Sequence, residues 1–326
     1  MKGQRQFWRA AMAGLMLAAA SPATGAQPVT ETEVEAEVEN GPLRGTLMPP
    51  EQGGGPVAVI IPGSGPTGRD GDNHNGIKAK YLRQLAQGLA EEGIASIRID
   101  KRGMFGSTGS FPGANDVTFD DYAADARAWL EVAREKAGTD CAWLVGHSEG
   151  GLVALLAAQE AGQSLCGLVL VAAPGRGMGE ILREQLRSNP ANAPVLPDAL
   201  SAIDALERGK KVDVSGFHPA LQQMFWPGVQ DFLIDAFGRD PAKLIAGLDL
   251  PVLIVQGDND LQVGLRDAER LSQAQPAAEN LVMPGMNHVL RVVPAGDIAA
   301  NFASYSDSGQ PLAPGLAQAI ARFIAR

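Results

Sequence analysis

A serine between two glycines is the segment of this chain best suited to covalent chemistry. Residues 146–150 read Gly-His-Ser-Glu-Gly, a G-x-S-x-G pattern. The apolar run 141–145 precedes this segment, and residues 151–158, which are small and apolar with helical spacing, follow it. A strand, a sharp turn and a helix in this order expose the central serine as a nucleophile. The glycines suit such a turn because it leaves little room for Cβ atoms.

A serine hydroxyl becomes a useful nucleophile when a histidine takes its proton and a carboxylate orients that histidine. The chain has four histidines. His147 adjoins Ser148 and is expected to point away from the hydroxyl, His74 precedes the motif, and His218 stands before a proline in a helical region. His288 comes directly after a short predicted strand, in the kind of loop where catalytic side chains lie. We therefore predict that His288 is the base.

The orienting carboxylate is expected in a loop after another strand. Asp258 and Asp260 both follow the apolar run 252–255. Aspartate also bends and caps loops without any catalytic role. Position in the sequence alone therefore does not decide whether Asp258 or Asp260 orients the histidine.

A tetrahedral intermediate carries an oxyanion, which two backbone N–H groups are expected to meet. The residue after the nucleophile, Glu149, is predicted to supply one of them. The loop 62–66, Pro-Gly-Ser-Gly-Pro, follows the first buried strand and can supply the other. The Glu149 side chain also places a carboxylate near the site, where it can pair with a neighbouring cation or disfavour anionic substrates.

The elements that must position these residues alternate between strand and helix patterns. Val34, Ala36 and Val38 alternate with glutamates, and Asn40-Gly41 predicts a hairpin turn to a return strand at 43–47. We predict buried strands at 57–61, 94–99, 141–145, 168–171, 252–255 and 280–283, and helices that begin at 81 or span 118–130, 151–158, 265–271 and 311–324. The sequence therefore predicts an α/β fold: a mostly parallel twisted sheet with helices on both faces and an antiparallel N-terminal hairpin.

A helical insertion interrupts this alternation. No clear buried strand occurs between residues 175 and 246, where large apolar side chains concentrate: Phe217, Met224, Phe225, Trp226, Phe232 and Phe237. We predict a helical cap at 176–246 between two parts of a core, 27–175 and 247–326. Most of these side chains are expected to pack within the cap, and two or three to face a substrate. An ordinary helical subdomain is the alternative.

The first 26 residues have the pattern of a secretory signal peptide. Three basic residues precede an apolar run of 11 residues at 10–20, which is too short to span a bilayer, and Thr24-Gly25-Ala26 suits cleavage after Ala26. An N-terminal membrane anchor is the alternative. We therefore expect export to the periplasm or the medium, with no stable membrane insertion of the mature chain.

The acidic net charge of the chain limits the kinds of partner that it can bind. The formal net charge is −10 and becomes more negative once the basic leader is removed, which argues against nucleic acid as a partner.

Cys141 and Cys166 each begin an apolar strand run, so a disulfide is possible if those strands are neighbours, and two buried free thiols are the alternative. No zinc-site spacing occurs. The run from Asp70 does not fit a calcium-binding loop. It lacks the glycine at the sixth position and the acid at the twelfth, where Tyr81 stands.

Six segments together carry a family resemblance. They are PGSGPTGRDG (62–71), RIDKRGMFGS (98–107), GHSEGG (146–151), FWPGVQDFL (225–233), PVLIVQGDNDLQV (251–263) and PGMNH (284–288). In this order and spacing the chain resembles the serine carboxylesterases of the α/β-hydrolase superfamily, close to bacterial serine aminopeptidase-like S33 hydrolases. It departs from them at Pro62, where a histidine is usual, and at Gly68, where many members carry aspartate.

The resemblance implies an α/β-hydrolase fold with the triad in the chain order Ser148, Asp260, His288. Asp260 rather than Asp258 matches the family's G-x-x-D-x-x-V spacing. Ser64 occupies the position of the second oxyanion donor, beside Glu149. The implied activity is hydrolysis of small carboxylic esters, often with short acyl chains, without a metal or organic cofactor. A peptidase or a thioesterase with the same triad is an alternative function, and a non-catalytic binding module is a more remote one. The sequence does not decide the oligomeric state.

Overall fold

One twisted sheet forms the centre of the fold in the computed structural model, which describes residues 30–51, 53–110 and 116–326. The predicted signal peptide at 1–26 lies outside these residues. The sheet has eight strands in the order β1-β2-β4-β3-β5-β6-β7-β8 within the described residues. The strands are β1 (Thr32–Ala36), β2 (Leu43–Met48), β3 (Val57–Ile61), β4 (Ala95–Ile99), β5 (Ala142–His147), β6 (Leu165–Val171), β7 (Val252–Gly257) and β8 (Glu279–Met283).

The strand directions follow the sequence pattern. The hairpin partners β1 and β2 are antiparallel, and β2 continues antiparallel to β4. From β4 through β3, β5, β6 and β7 to β8 all neighbours are parallel. The predicted α/β-hydrolase sheet and its antiparallel hairpin are thus confirmed. The continuous apolar runs become the central strands because both of their faces are covered.

Helices cover both faces of the sheet. The described helices are α1 (Tyr81–Glu91), α2 (Phe119–Ala137), α3 (Glu149–Ala158), α4 (Met178–Ser188), α5 (Leu196–Glu207), α6 (Pro219–Met224), α7 (Gln230–Phe237), α8 (Pro241–Ala246), α9 (Leu265–Ala274), α10 (Ile298–Ala303) and α11 (Leu316–Ile324). Buried side chains of α1 and α11 pack on one face of the sheet, and those of α2, α3 and α9 pack on the other. Alternate residues of β5, such as Leu144 and Val145, belong to these two separate cores.

The segment between β6 and β7 is helical, with α4 to α8 in sequence. Buried residues of α4, α5 and α6 form a core of their own around Ile203 and Phe225. Ile245 of α8 instead belongs to the core on the α2 and α3 face. The predicted domain boundaries at 176 and 246 stay a prediction. None of the helices in the described ranges is long and apolar enough to cross a membrane.

The largest differences from the predicted helix boundaries occur at the end of α2 and the start of α11. Helix α2 begins where it was predicted, at a capping box formed by Thr118 and Asp121. It continues beyond the predicted end at 130 to Ala137, where Gly138 ends it in a left-handed conformation. The last helix begins at Leu316 and not at Pro311. Gly315 precedes it with φ of 82°, so the chain turns there before helical geometry begins.

A disulfide joins Cys141, directly before β5, to Cys166 near the start of β6. The parallel pairing of β5 and β6 brings the beginnings of both strands together. Of the two alternatives that the sequence left open, the structure therefore has the bonded one.

Removal of this disulfide should destabilise the protein. The bond closes a loop between residues 25 positions apart, for which chain entropy gives about 3 kcal/mol. We expect the Cys141→Ala/Cys166→Ala variant to lose about 2–4 kcal/mol of unfolding free energy in urea titrations. Reducing agent should lower the stability of the wild type but leave the double variant unaffected. Equal stability with and without reductant would argue against the bond.

Candidate active site

Ser148 lies on the sharp turn between β5 and α3. Its backbone has φ of 54° and ψ of −125°, a combination that non-glycine residues rarely adopt. Its N–H donates to the carbonyl of Val171 on β6 at 2.9 Å, so the neighbouring strand holds the turn in register. The turn presents the half-buried Ser148 side chain beyond the carboxyl end of the sheet.

Two glycines make this turn possible. A Cβ on Gly146 would come within 2.3 Å of the Gly150 carbonyl oxygen. A Cβ on Gly150 would come within 2.4 Å of the carbonyl oxygen of Ile61 on β3. Real Cβ atoms do not approach backbone oxygens this closely, so the flanking glycines are required by space.

His288 and Asp260 form a hydrogen-bonded pair in loops after β8 and β7. The Nδ1–H of His288 donates to Asp260 Oδ2 at 2.7 Å. Because a carboxylate only accepts, the proton of neutral His288 stays on Nδ1 and leaves Nε2 as a free base. Both side chains are almost fully buried.

The Asp260 carboxylate is held by several donors. Its Oδ1 accepts the backbone N–H groups of Gln262 at 2.7 Å and Val263 at 3.0 Å. These bonds fix the carboxylate plane that aims Oδ2 at His288. Asp258 instead accepts the N–H of Gly285 at 2.6 Å, as a loop-forming residue does.

A second histidine lies behind the first. The ring centroids of His147 and His288 are 4.8 Å apart, and His147 Nε2–H donates to the His288 carbonyl at 2.8 Å. His147 Nδ1 therefore accepts, and the hydroxyl of Tyr81 donates to it at 3.3 Å. Burial, together with the nearby His288, lowers the pKa of His147 to about 3. A neutral His147 thus ties the serine turn to the His288 loop.

Ser64 and Glu149, the predicted oxyanion donors, meet at one cavity with Ser148. The N–H of Glu149 is in the first turn of α3, where backbone N–H groups lack helical partners and the helix dipole favours negative charge. Ser64 lies in the exposed loop after β3. The Glu149 side chain turns away into an ion pair with Lys101 at 2.9 Å. The alternative left open for this carboxylate is therefore resolved in favour of a neighbouring cation.

The cavity beside Ser148 has a volume of about 440 Å³. Helices α4 and α7 provide nearly half of its wall, with apolar side chains that include Met178, Ile181, Leu182, Leu233 and Phe237. A second cavity of about 450 Å³ shares Phe232 with the first, and the rings of His74, Phe105 and Tyr122 also line it. Each volume is in the range of small-molecule sites.

The structure places Ser64, Ser148 and Glu149 at one cavity and joins His288 to Asp260 by a hydrogen bond. The catalytic roles of these five residues stay a prediction. In the described part of the chain, His288 bonds to Asp260 and the Ser148 hydroxyl makes no direct hydrogen bond to His288. Bonds of this kind often form only in the complex with substrate. Within the described ranges, no cluster of three or more His, Cys, Asp or Glu residues suits a metal ion.

Sequence reasoning missed two residues at this site. It assigned no role to Lys101, although that residue lies inside the segment 98–107 that carried the family resemblance. It excluded His147 as the base but did not foresee its bond to the His288 loop. A buried lysine has no short-range signal, because its partner Glu149 is 48 positions away.

Comparison with known proteins gives a family match over most of the chain. A family model described as "Alpha/beta hydrolase family" matches residues 58–301. Esterase EstD of Thermotoga maritima is 25% identical over 273 residues, which are 80% of this chain and 61% of that protein. Lipase 3 of a Moraxella species is 25% identical over 212 residues, 57% of this chain and 63% of its own length. The chain thus spans about three fifths of these relatives.

Solved structures of low sequence identity share the fold. Est1E from Butyrivibrio proteoclasticus is 17% identical, with a TM-score of 0.56 over 90% of this chain and 99% of that one. A second structure of Est1E, 18% identical with a TM-score of 0.56 over 90% of this chain and 100% of its own, contains ferulic acid.

The buried His147 should make stability depend on pH. Its pKa is about 3 in the folded protein against 6.5 unfolded, so only the unfolded state binds the proton between these values. Stability therefore falls with acidification, by about 1.4 kcal/mol per pH unit. Between pH 7 and 4.5 we expect the wild type to lose about 2.5 kcal/mol more unfolding free energy than His147→Gln, measured in urea. Parallel pH profiles of the two proteins would contradict the buried neutral imidazole.

Proposed function

The chain belongs to the alpha/beta hydrolase family, and on that premise we propose that it is an exported serine esterase that cleaves small carboxylic esters. The proposed catalytic triad is Ser148, Asp260 and His288. The observation that carries this proposal is the 2.7 Å bond from His288 Nδ1 to Asp260. Ser148 is held on a strained turn, and the ring of its neighbour His147 lies 4.8 Å from that of His288.

Acylation follows from this arrangement. Ser148 Oγ attacks the ester carbonyl carbon while His288 Nε2 takes the hydroxyl proton. Asp260 keeps the imidazole oriented and stabilises the imidazolium that forms. The intermediate collapses when its C–O bond to the alcohol breaks, and His288 gives the proton to the departing alcohol.

Deacylation repeats these steps with water. His288 takes a proton from water, the resulting hydroxyl oxygen attacks the acyl carbon, and the acid leaves as Ser148 regains its proton. In both halves the carbonyl oxygen becomes negatively charged. The N–H groups of Ser64 and Glu149 are proposed to bind it, and preorganised donors of this kind contribute about 3–4 kcal/mol each.

The cavity supports a small apolar acyl or alcohol group. Its wall is mainly aliphatic and aromatic, so a hydrocarbon chain gains by leaving water, at about 0.8 kcal/mol per buried CH₂. We propose esters with short acyl chains as substrates. Relatives named as an esterase and a lipase support ester substrates. The Est1E structure with bound ferulic acid also supports a small carboxylic ester.

A peptidase that reads a free amino terminus is less well supported. It would need an unpaired acid in the helical segment, such as Asp231 or Asp235 of α7. Asp231 pairs with Lys211 at 2.7 Å, and Asp235 pairs with Arg239 and accepts the N–H of Phe119. Neither aspartate lines the cavity beside Ser148. A thioesterase shares the triad chemistry and is separated only by substrate tests.

Export to the periplasm or the medium is part of the proposal. The leader-like residues 1–26 support it. The disulfide between Cys141 and Cys166 also supports it, because such bonds persist mainly in oxidising compartments.

The triad is tested with p-nitrophenyl esters from C2 to C12. We expect the wild type to prefer short chains and Ser148→Ala to lose at least about 10⁴-fold in kcat, because the nucleophile is gone. The two neighbouring aspartates form a matched pair. Asp260→Asn should lose about 10²- to 10⁴-fold by favouring the wrong imidazole tautomer, whereas Asp258→Asn should stay within about threefold of the wild type. Equal losses in both aspartate variants would refute the assignment of Asp260.

Activity should fall as the solution becomes acidic. His288 acts as a base only when neutral, so each proton that it binds removes one active molecule. His147 does not contribute to this loss above about pH 4, since its pKa is about 3. The measurement is kcat/KM against pH on a short ester, with folding followed by circular dichroism. A rate that does not fall on acidification while the protein stays folded would exclude His288 as the base.

A further inference from the structure

Lys101 is a buried cation that the mechanism above does not use. It follows β4, and its Nζ donates to the Gly63 carbonyl oxygen at 2.8 Å and to Glu149 Oε1 at 2.9 Å. The side chains of Lys101 and Glu149 are each 3% exposed. Nζ also lies 5.3 Å from the ring centre of Tyr122.

Both contacts of Lys101 reach the proposed oxyanion donors. The Gly63 carbonyl and the Ser64 N–H are the two ends of one planar peptide group. The other contact is to the side chain of Glu149, whose own N–H is the second donor. One ammonium group therefore connects the loop after β3 to the first turn of α3.

We propose that Lys101 is a positioning residue for the oxyanion hole. It fixes the separation of the Ser64 and Glu149 N–H groups and polarises the peptide group that ends in the Ser64 N–H. This inference rests on the proposed function, since it concerns the same site, and it assigns a role to a residue that contacts no substrate atom in the proposed mechanism.

The physical basis is the effect of a charge on a chain of hydrogen bonds. A bond from an ammonium is about twice as strong as a neutral one. A donor at the carbonyl end of a peptide group draws electron density from the amide, which makes its N–H a stronger donor by about 10–30%. Catalytic donors must also be held within about 0.5 Å of their productive positions. Lys101 serves both needs from the Gly63 carbonyl end of the peptide group.

Stability alone does not account for this pair. Buried ion pairs are often no more stabilising than apolar side chains of the same volume. The Glu149 carboxylate would also oppose a nearby oxyanion, and Lys101 offsets that charge. A role in transition-state stabilisation explains why both charged groups are buried at this place.

The experiment compares variants that break the same ion pair from its two ends. Lys101→Met should lower kcat on a short p-nitrophenyl ester by about ten- to hundredfold and leave KM within about threefold. This loss is smaller than the about 10²- to 10³-fold cost of removing a donor outright. Glu149→Gln breaks the pair but keeps the ammonium on the Gly63 carbonyl, so its loss of kcat should be at least several-fold smaller.

Two further variants separate positioning from folding. Lys101→Met/Glu149→Gln buries no unpaired charge and should fold, yet kcat should stay at least about tenfold below that of the wild type. Arg102→Met removes the neighbouring buried cation, whose ion pairs reach Asp121 and Asp125 on α2. It should lower thermal stability and keep kcat within about threefold.

Binding of a trifluoromethyl ketone supplies a readout that a merely structural role would not move. This probe forms a tetrahedral oxyanion with the serine, so its affinity should fall in Lys101→Met by the same factor as kcat. A folded Lys101→Met with unchanged kcat and ketone affinity would overturn the inference alone, as would full recovery in the double variant. A folded wild type that hydrolyses no ester and binds no ketone would overturn the proposed function and this inference together.

Discussion

The strained backbone of Ser148 is the constraint on which the rest of the site depends. A non-glycine residue in this conformation costs about 1–3 kcal/mol, and contacts in the surrounding structure must offset this free energy. These contacts come from the close packing of β5 and α3 against β3 and β6, which Gly146 and Gly150 permit. Because those strands are parallel, their carboxyl ends meet at one edge, and the loops that carry Asp260 and His288 extend from the same edge.

A layer of buried polar groups behind the turn holds these loops in place. His147 joins the serine turn to the His288 loop, and Lys101 joins the loop after β3 to α3. Each group is neutral or paired, so burial does not leave an unpaired charge. The reactive side chains therefore rest on fixed supports, while the helical segment between β6 and β7 forms the cavity in front of them.

Most of the fold could be predicted because its signals are local. The continuous apolar runs and the Asn40-Gly41 turn identify strands without tertiary information. The helix ends were predicted less accurately. The turn at Gly315 before the last helix and the extra length of α2 both depend on contacts with neighbouring elements. For the site, strand-end positions and family spacing selected Ser148, Asp260 and His288. The roles of Lys101 and His147 were missed because they rest on contacts with residues 48 and 141 positions away.

The most direct test of this account is where a serine-directed phosphonate attaches. The protein is treated with a p-nitrophenyl alkylphosphonate, and the labelled peptide is identified by mass spectrometry. We expect one adduct per chain, on Ser148, with loss of ester hydrolysis in proportion to labelling. Labelling at another residue, or full hydrolysis after complete labelling of Ser148, would contradict the assignment of the nucleophile and the mechanism built on it.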